Sequence, residues 1–121
     1  MLAKLVARPL SVTEIDELWQ KSVSALSKLE GLKKIILFGS GARRSMTEAS
    51  DLDLVLIFDE GVCVREIYRQ LVPMRRKIGW PCDFICVDEK QFAERSQIGG
   101  VLFIAREDGR VIYERKTNEP V

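Results

Sequence analysis

The sequence predicts a small α/β or α+β domain, in which a mixed β-sheet is flanked by helices. Short runs of Ile, Leu, Val and Phe, typical of strands, alternate with longer segments whose apolar residues recur at helical spacing. The 121 residues suit one domain, so we expect residues 1–121 to fold as a single unit. Hydrophobic residues make up 46% of the chain and charged residues 31%, which is typical of globular proteins rather than disordered chains.

The first predicted element is a helix within residues 11–31, where apolar residues form a stripe at helical spacing. Ser11 or Thr13 is a candidate N-cap, and Thr13 with Asp16 forms a weak variant of the capping box. Gly31 stands where the end of the helix is expected.

Two strands are predicted next, at Lys33–Phe38 and Asp51–Phe58. The second strand has apolar residues on both faces, as expected of a strand inside a sheet that is covered on both sides. A short helical turn is expected to begin near Ser40, after the first strand.

A second long helix is predicted over residues 62–78, with Gly79 closing it. Pro73 lies inside this segment, and we expect a kink or a break there because proline lacks the backbone donor and clashes with the preceding turn. Residues 81–87 form the third predicted strand.

The last part of the chain is predicted to contain a short helix and a β-hairpin. Asp88 is placed to cap the helix, with a glutamine three residues later. Residues 101–105 and 110–114 read as two strands joined by the turn 106–109, and they offer an edge where another chain could pair. We expect residues 115–121 to be a frayed tail.

Composition excludes several classes of function. Lys and Arg number 19 and Asp and Glu 18, a net charge of +1, so nucleic acid is not expected as a direct ligand. Apolar runs are far shorter than the roughly 20 residues of a membrane span, and no secretory signal is apparent. Three separated cysteines (Cys63, Cys82 and Cys86) and no histidine argue against a disulfide scaffold or a zinc site. We therefore expect a cytoplasmic protein.

Two aspartates stand at the start of a strand that is otherwise apolar. Because side chains alternate across a strand, Asp51 and Asp53 point to the same face. Two ionised carboxylates so placed repel each other, and a divalent cation such as Mg²⁺ removes that cost. Asp83, inside the third apolar strand, adds a third carboxylate if its strand lies alongside. Three carboxylates can hold two metal ions for phosphoryl transfer.

A candidate phosphate-binding turn precedes the aspartates. Glycine at position 39 allows close approach of a phosphate to the backbone, and Ser40 adds a hydroxyl donor. The loop 41–50 is expected to fold back and bring this turn beside the carboxylates.

The segment FGSGARRSMTEASDLDLVLI resembles the signature of the nucleotidyltransferase superfamily related to DNA polymerase β. That signature is a strand, Gly-Ser, a short spacer, Asp-x-Asp, and a third acid on a later strand. Gly39, Ser40, Asp51, Asp53 and Asp83 fill these positions.

The resemblance covers residues 33–87 and implies a palm-like nucleotidyltransferase core. Gly41 departs from the family, because an arginine is frequent there and its phosphate contact would be lost. Arg43 or Arg44 is the candidate substitute for that contact.

The chain is similar to the minimal nucleotidyltransferases of prokaryotes, which consist of little more than this core. The resemblance implies transfer of a nucleotidyl group, AMP from ATP, with two Mg²⁺ ions held by Asp51, Asp53 and Asp83, the last also helping to deprotonate the attacking hydroxyl. Gly39 and Ser40 would seat the phosphates. It further implies a helical HEPN-type toxin as partner, with this chain as antitoxin acting on a hydroxyl of that partner.

Other interpretations stay open at this point. The chain could be a non-catalytic module that neutralises a partner by binding, or a nucleotidyltransferase acting on a small molecule or an RNA end. A homo-oligomer is also compatible with the sequence. The second long helix is basic, and a solvated face is favoured over a contact with triphosphate, RNA or an acidic partner. Its cationic residues are Arg65, Arg69, Arg75, Arg76 and Lys77.

Overall fold

The structure is a computed structural model that describes residues 6–116. Helices and strands alternate along the chain as predicted, with one exception near the C-terminus. The elements are α1 (Val12–Leu26), β1 (Leu32–Phe38), α2 (Gly39–Ala42), β2 (Leu52–Phe58), α3 (Val64–Ile78), β3 (Cys82–Asp88), α4 (Glu89–Arg95), α5 (Gly100–Asp108) and β4 (Arg110–Glu114).

The four strands form one mixed sheet in the order β3-β2-β1-β4. β1 pairs antiparallel with both β2 and β4, whereas β2 and β3 run parallel. The parallel pair is joined by α3, the kind of crossover that parallel neighbours require. The predicted fold class, a mixed sheet flanked by helices, is confirmed.

Each face of the sheet is covered by a different pair of helices. Side chains alternate along β2, so Leu54 and Leu56 pack on one face with Ile15 of α1 and Leu71 of α3. Val55 and Ile57 point to the other face. There they pack with Phe92 of α4 and with Leu102 and Ala105 of α5. The continuous apolar run of β2 follows from this double coverage.

The start of α1 is capped by Ser11, whose hydroxyl accepts from the Glu14 N–H while the Glu14 carboxylate accepts from the Ser11 N–H. The capping box predicted for Thr13 and Asp16 is wrong, because Thr13 already lies inside the first turn. Asp16 instead accepts from Trp19 Nε1 at 2.9 Å.

The first helix also ends earlier than predicted. Leu26 is its last residue, and the Leu29 N–H then bonds to the Leu26 carbonyl in a tighter turn that buries Leu29. Gly31, with φ of 80°, lies in the connection to β1 rather than at the helix end.

Pro73 does not break α3, so the predicted break is wrong. The helix runs without interruption from Val64 to Gly79, which caps it in the left-handed conformation. Ile67, Leu71 and Ile78 are buried along one side, while Pro73 is exposed on another. Tertiary packing of these buried residues therefore holds the helix although proline provides no backbone donor.

The predicted C-terminal hairpin is wrong as well. Residues 101–105 lie in helix α5, and only residues 110–114 form a strand, β4. Leu102 and Ala105 are the buried residues of α5, and their spacing of three is helical rather than alternating. The short apolar run fitted both patterns, and contact with the sheet selected the helix.

The predicted tail starts too early. Arg115 forms two hydrogen bonds of 2.8 Å to the Asp59 carboxylate, and its N–H bonds to the Lys33 carbonyl. Residues 117–121 of the predicted frayed tail lie outside the described residues. Within residues 6–116, no helix is long and apolar enough to cross a membrane.

Candidate active site

The three predicted acidic residues lie at one end of the sheet. Asp51 immediately precedes β2, and Asp53 is the second residue of that strand. In the register of the sheet, Asp53 lies opposite Phe38 of β1 and beside Asp83 of β3. Because side chains alternate, all three carboxylates point to the face that α4 and α5 cover further along. The topology thus brings together residues that are far apart in sequence.

Asp53 is the half-buried member of this group, whereas Asp51 and Asp83 are exposed. The pKa of Asp53 is raised, first by burial, then by the negative charge of Asp83 and then by that of Asp51. Arg43 acts in the opposite direction. The three carboxylates and one guanidinium therefore interact in a single electrostatic cluster.

The Gly-Ser bend lies directly against Asp53. Gly39 has φ of 67°, and a Cβ atom placed there would lie 2.5 Å from Asp53 Oδ2. A side chain is disfavoured on both counts, since the conformation is unfavourable for other residues and the space is taken by the carboxylate. Glycine therefore allows this close approach without strain.

Gly41 departs from the family pattern for a reason of packing. It is buried in α2, and a Cβ atom there would lie 2.8 Å from Leu37 Cδ1. A larger residue at this position would require the Leu37 side chain to move. The nearby Arg43 supplies positive charge to Asp53 instead.

The other two predicted phosphate-binding residues flank this group. Ser40 is half-buried in α2, and its carbonyl accepts from the Ser45 N–H at 2.9 Å. Arg44 is exposed and has a positive φ of 57°. Their contacts with phosphate stay predictions.

The loop after α2 is held by the chain that precedes α1. The Leu10 N–H bonds to the Met46 carbonyl at 2.9 Å, and Thr47 forms a bridge with Pro9. Met46 is only 1% exposed, so it anchors the loop in the core. Thr47 N–H also bonds to Ser50 Oγ at 2.9 Å, which shapes the approach to the acidic residues.

Trp80 makes a contact next to the acidic pair that the sequence analysis missed. Its indole N–H donates to the Ser50 carbonyl at 2.9 Å, one residue before Asp51. The sequence offered no signal for this contact, because Trp80 and Ser50 come together only when β3 lies beside β2. The indole thus links the segment just before β3 to the backbone of Ser50, which directly precedes Asp51.

The donor set of the site fits a hard divalent cation. Carboxylate oxygens are the ligands that Mg²⁺ prefers. Burial raises the pKa of Asp53 most, and the charges of Asp83 and Asp51 raise it further; a bound cation would offset both effects. As the side chains stand, no group of three His, Cys, Asp or Glu residues within 6–116 is arranged to hold a metal ion. The carboxylates lie in register on neighbouring strands but do not converge on one point.

Two surface cavities lie away from the three aspartates. A cavity of about 400 Å³ is lined by Asp59, Cys63 and Glu66, which follow the opposite end of β2. A smaller one, of about 260 Å³, lies between α1 and Trp80. None of the three aspartates lines either cavity.

Comparison with known families identifies the family to which the chain belongs. The family described as Nucleotidyltransferase domain matches residues 20–112, more than half of the chain. The chain belongs to this nucleotidyltransferase family. The match spans Gly39, Ser40 and the three aspartates, so the family predicted from the motif, and with it the class of enzyme, is confirmed.

Two relatives of this nucleotidyltransferase come from Methanocaldococcus jannaschii. The name given to each proposes that it is a protein adenylyltransferase. One is 42% identical over 50 residues, which cover 41% of this chain and 50% of the relative. The other is 31% identical over 71 residues, which cover 59% and 75% respectively. The chain thus matches half the length of the first relative and three quarters of the second.

Solved structures share the fold of this nucleotidyltransferase. A crystal structure from Sulfolobus solfataricus, described as a nucleotidyltransferase, matches with a TM-score of 0.57 and 22% identity over 86% of this chain and 84% of that one. A mutant of the toxin–antitoxin complex MntA-HpeT matches with a TM-score of 0.50 and 11% identity, over 88% and 75%. At these identities the two structures support the fold alone.

Proposed function

We propose that this chain transfers AMP from Mg²⁺-bound ATP to a hydroxyl group of a partner protein, and that it thereby acts as the antitoxin of a HEPN-type toxin in the cytoplasm. The observation that carries the catalytic part is the juxtaposition of Asp51, Asp53 and Asp83 with the Gly39 bend at one end of the sheet. The protein acceptor is supported by the names of the two archaeal relatives.

Each residue has a role in the proposed reaction. Asp51, Asp53 and Asp83 would hold Mg²⁺, which neutralises charge on the phosphates when bound. The bend at Gly39 and Ser40 would seat the β- and γ-phosphates, and Arg43 would balance their charge. The hydroxyl oxygen of the acceptor would bond to the α-phosphorus as the bond to the β-phosphate breaks, and the β- and γ-phosphates would leave as pyrophosphate. Asp83, exposed on strand β3, lies on the open side, where it could accept the proton of the attacking hydroxyl.

The exposure of two of the three aspartates supports a macromolecular acceptor. Asp51 and Asp83 are exposed, whereas Asp53 is half-buried. A small-molecule acceptor would gain little burial there, whereas a protein surface could cover the edge. The chain of similar fold in MntA-HpeT belongs to a toxin–antitoxin pair, and by analogy we propose a toxin as that protein.

A labelling experiment tests the proposal. The purified chain is incubated with ATP labelled at the α-phosphate, Mg²⁺ and a helical HEPN-type protein encoded next to it. We expect label on the partner with the wild type, and at least about a hundredfold less with Asp53→Asn or Asp83→Asn. Glu60→Gln is the matched control, because it removes one negative charge beyond the opposite end of β2.

The other interpretations give different results in the same experiment. A wild-type chain that binds the partner but transfers no label at any Mg²⁺ concentration is a binding module, and the enzymatic proposal is then wrong. Label recovered in added RNA or a small molecule, rather than in the protein, changes the acceptor class. Label from GTP, CTP or UTP in preference to ATP changes the nucleotide.

A further inference from the structure

The outer edge of β3 is closed by side chains of α3. β3 is the last strand of the sheet and pairs with β2 alone among the described residues. The Pro81 carbonyl bonds to the Leu52 N–H on the β2 side, so the next carbonyl, that of Cys82, points outward. Such outward groups need partners from outside the sheet.

Two residues of α3 provide these partners. The Arg75 guanidinium donates a hydrogen bond to the Cys82 carbonyl and lies over the Phe84 ring, with Cζ 4.6 Å from the ring centre. The Tyr68 hydroxyl accepts from the Cys86 N–H at 3.1 Å. The two residues are about two turns apart, so one face of α3 follows the edge of the strand.

The contact made by Arg75 reaches the acidic site through the backbone. The carbonyl of Cys82 belongs to the peptide group that joins Cys82 to Asp83. The Asp83 side chain points to the opposite face of the sheet, beside Asp53. Anything that holds this peptide group therefore also holds the start of the Asp83 side chain.

We propose that Arg75 is a positioning residue that holds Asp83 in register with Asp53 for metal binding. The inference rests on the proposed function, in which Asp83 is a metal ligand. Two features make the anchor necessary. Asp83 is the second residue of an edge strand, where a chain frays most easily, and three like charges push the carboxylates apart. Metal ligands must be placed to within about 0.2 Å, so small displacements matter.

The test compares Arg75→Met with Arg76→Met, which removes the same charge one residue along the same helix. Binding of Mn²⁺ alone is measured by the electron paramagnetic resonance signal of the free ion. We expect the Mn²⁺ dissociation constant to rise about fivefold in Arg75→Met, the effect of losing one hydrogen bond, and to stay unchanged in Arg76→Met. Arg75→Lys keeps a donor and should recover part of the affinity.

Two further measurements separate positioning from other roles. In the transfer assay, the Mg²⁺ concentration for half-maximal rate should rise in Arg75→Met, while KM for ATP at saturating Mg²⁺ should not. Tyr68→Phe, which removes the anchor three residues beyond Asp83, should have a smaller effect in the same direction. Thermal unfolding shows how much folded protein each variant contains.

The outcomes distinguish this inference from the proposed function. If the wild type binds Mn²⁺ but transfers nothing, the proposed function fails, and the Mn²⁺ affinities of the variants still decide the inference. If Arg75→Met lowers thermal stability without changing Mn²⁺ affinity, the inference is overturned. A raised KM for ATP with unchanged Mn²⁺ affinity would make Arg75 a phosphate contact and would also overturn it. If the wild type binds no Mn²⁺, both proposals fail.

Discussion

At the scale of single residues, the close contact between Gly39 and the Asp53 carboxylate limits which residue can occupy position 39. Gly39→Ala combines a left-handed backbone with a methyl group 2.5 Å from a carboxylate oxygen. We expect a loss of about 1–2 kcal/mol of stability from the backbone strain, together with loss of nucleotidyl transfer. Chemical denaturation and the labelling assay measure the two effects separately.

Gly61→Ala is the matched control for this prediction. Gly61 has φ of 86°, but a Cβ atom there would have no neighbour within 4 Å. Its substitution should cost similar stability and leave transfer intact. Equal transfer by the two variants would mean that the Gly39 contact does not matter to the site.

Asp53 makes the stability of the chain depend on pH. Because the folded state raises the pKa of Asp53 above its unfolded value, protonation favours folding. This contribution is complete below the unfolded pKa, about 4, and is lost as the pH rises through the folded pKa. At pH 7 and without metal, Asp53→Asn should therefore stabilise the chain, by about 0.5–1 kcal/mol once screening is allowed for.

Denaturation at pH 7 and at pH 3 measures this effect. The gain from Asp53→Asn should be present at the higher pH and absent at the lower one. Added Mg²⁺ should raise the melting temperature of the wild type more than that of Asp53→Asn. A destabilised Asp53→Asn at pH 7 would contradict the raised pKa of Asp53, which burial and the neighbouring carboxylates cause.

At the scale of elements, α3 keeps its helical form despite Pro73. The native helix lacks one backbone hydrogen bond there, and the ring is exposed. Pro73→Ala restores the donor, and we expect a gain of about 1–2 kcal/mol, less than the full helix-propensity difference because the unfolded chain also becomes freer.

The neighbouring Val72→Ala is the control for the proline prediction. Val72 is 62% exposed on the same helix, and its substitution changes only helix propensity, worth a few tenths of a kcal/mol. Urea denaturation of both variants gives the comparison. If Pro73→Ala is destabilising, the proline stabilises the folded state through packing that its exposure does not reveal.

At the scale of the whole molecule, the two faces of the sheet contribute unequally to stability. The face under α1 and α3 carries the larger cluster of buried residues, and the face under α4 and α5 the smaller. Leu56 is fully buried in the first and Leu102 is 9% exposed in the second. Of the range of about 2–5 kcal/mol for Leu→Ala, we expect Leu56→Ala near the top and Leu102→Ala near the bottom.

Denaturant titrations of these two variants measure the difference between the layers. Equal losses would mean that α5 is held as firmly as α1 and α3. The predicted homo-oligomer belongs to this scale too and stays a prediction. β4 lies at one edge of the sheet, where a second chain could pair, whereas the edge of β3 is occupied by Arg75 and Tyr68.

The local pattern of apolar, capping and glycine residues was sufficient to predict much of the secondary structure. The three strands around the motif, the capping by Asp88 and the end of α3 at Gly79 were predicted from residues close in sequence. The C-terminal hairpin was not, because a five-residue apolar run fits a helix or a strand until its partner is known. Helix α5 formed because Leu102 and Ala105 meet the same face of the sheet as Val55.

The motif was enough to predict the family, because it is a continuous stretch of sequence that resembles the family signature. The motif and the later acidic strand also suggested Gly39, Asp51, Asp53 and Asp83 as site residues, and their roles stay predictions. The pairing of β3 with β2 could not be predicted from the sequence, because strand order depends on contacts between distant segments. That pairing places Asp83 beside Asp53, joins Trp80 to Ser50 and brings Arg75 onto the edge of β3. The sequence thus identified the acidic residues. Their placement relative to one another, and the contacts of Trp80 and Arg75 with the neighbouring backbone, depend on how the strands pair.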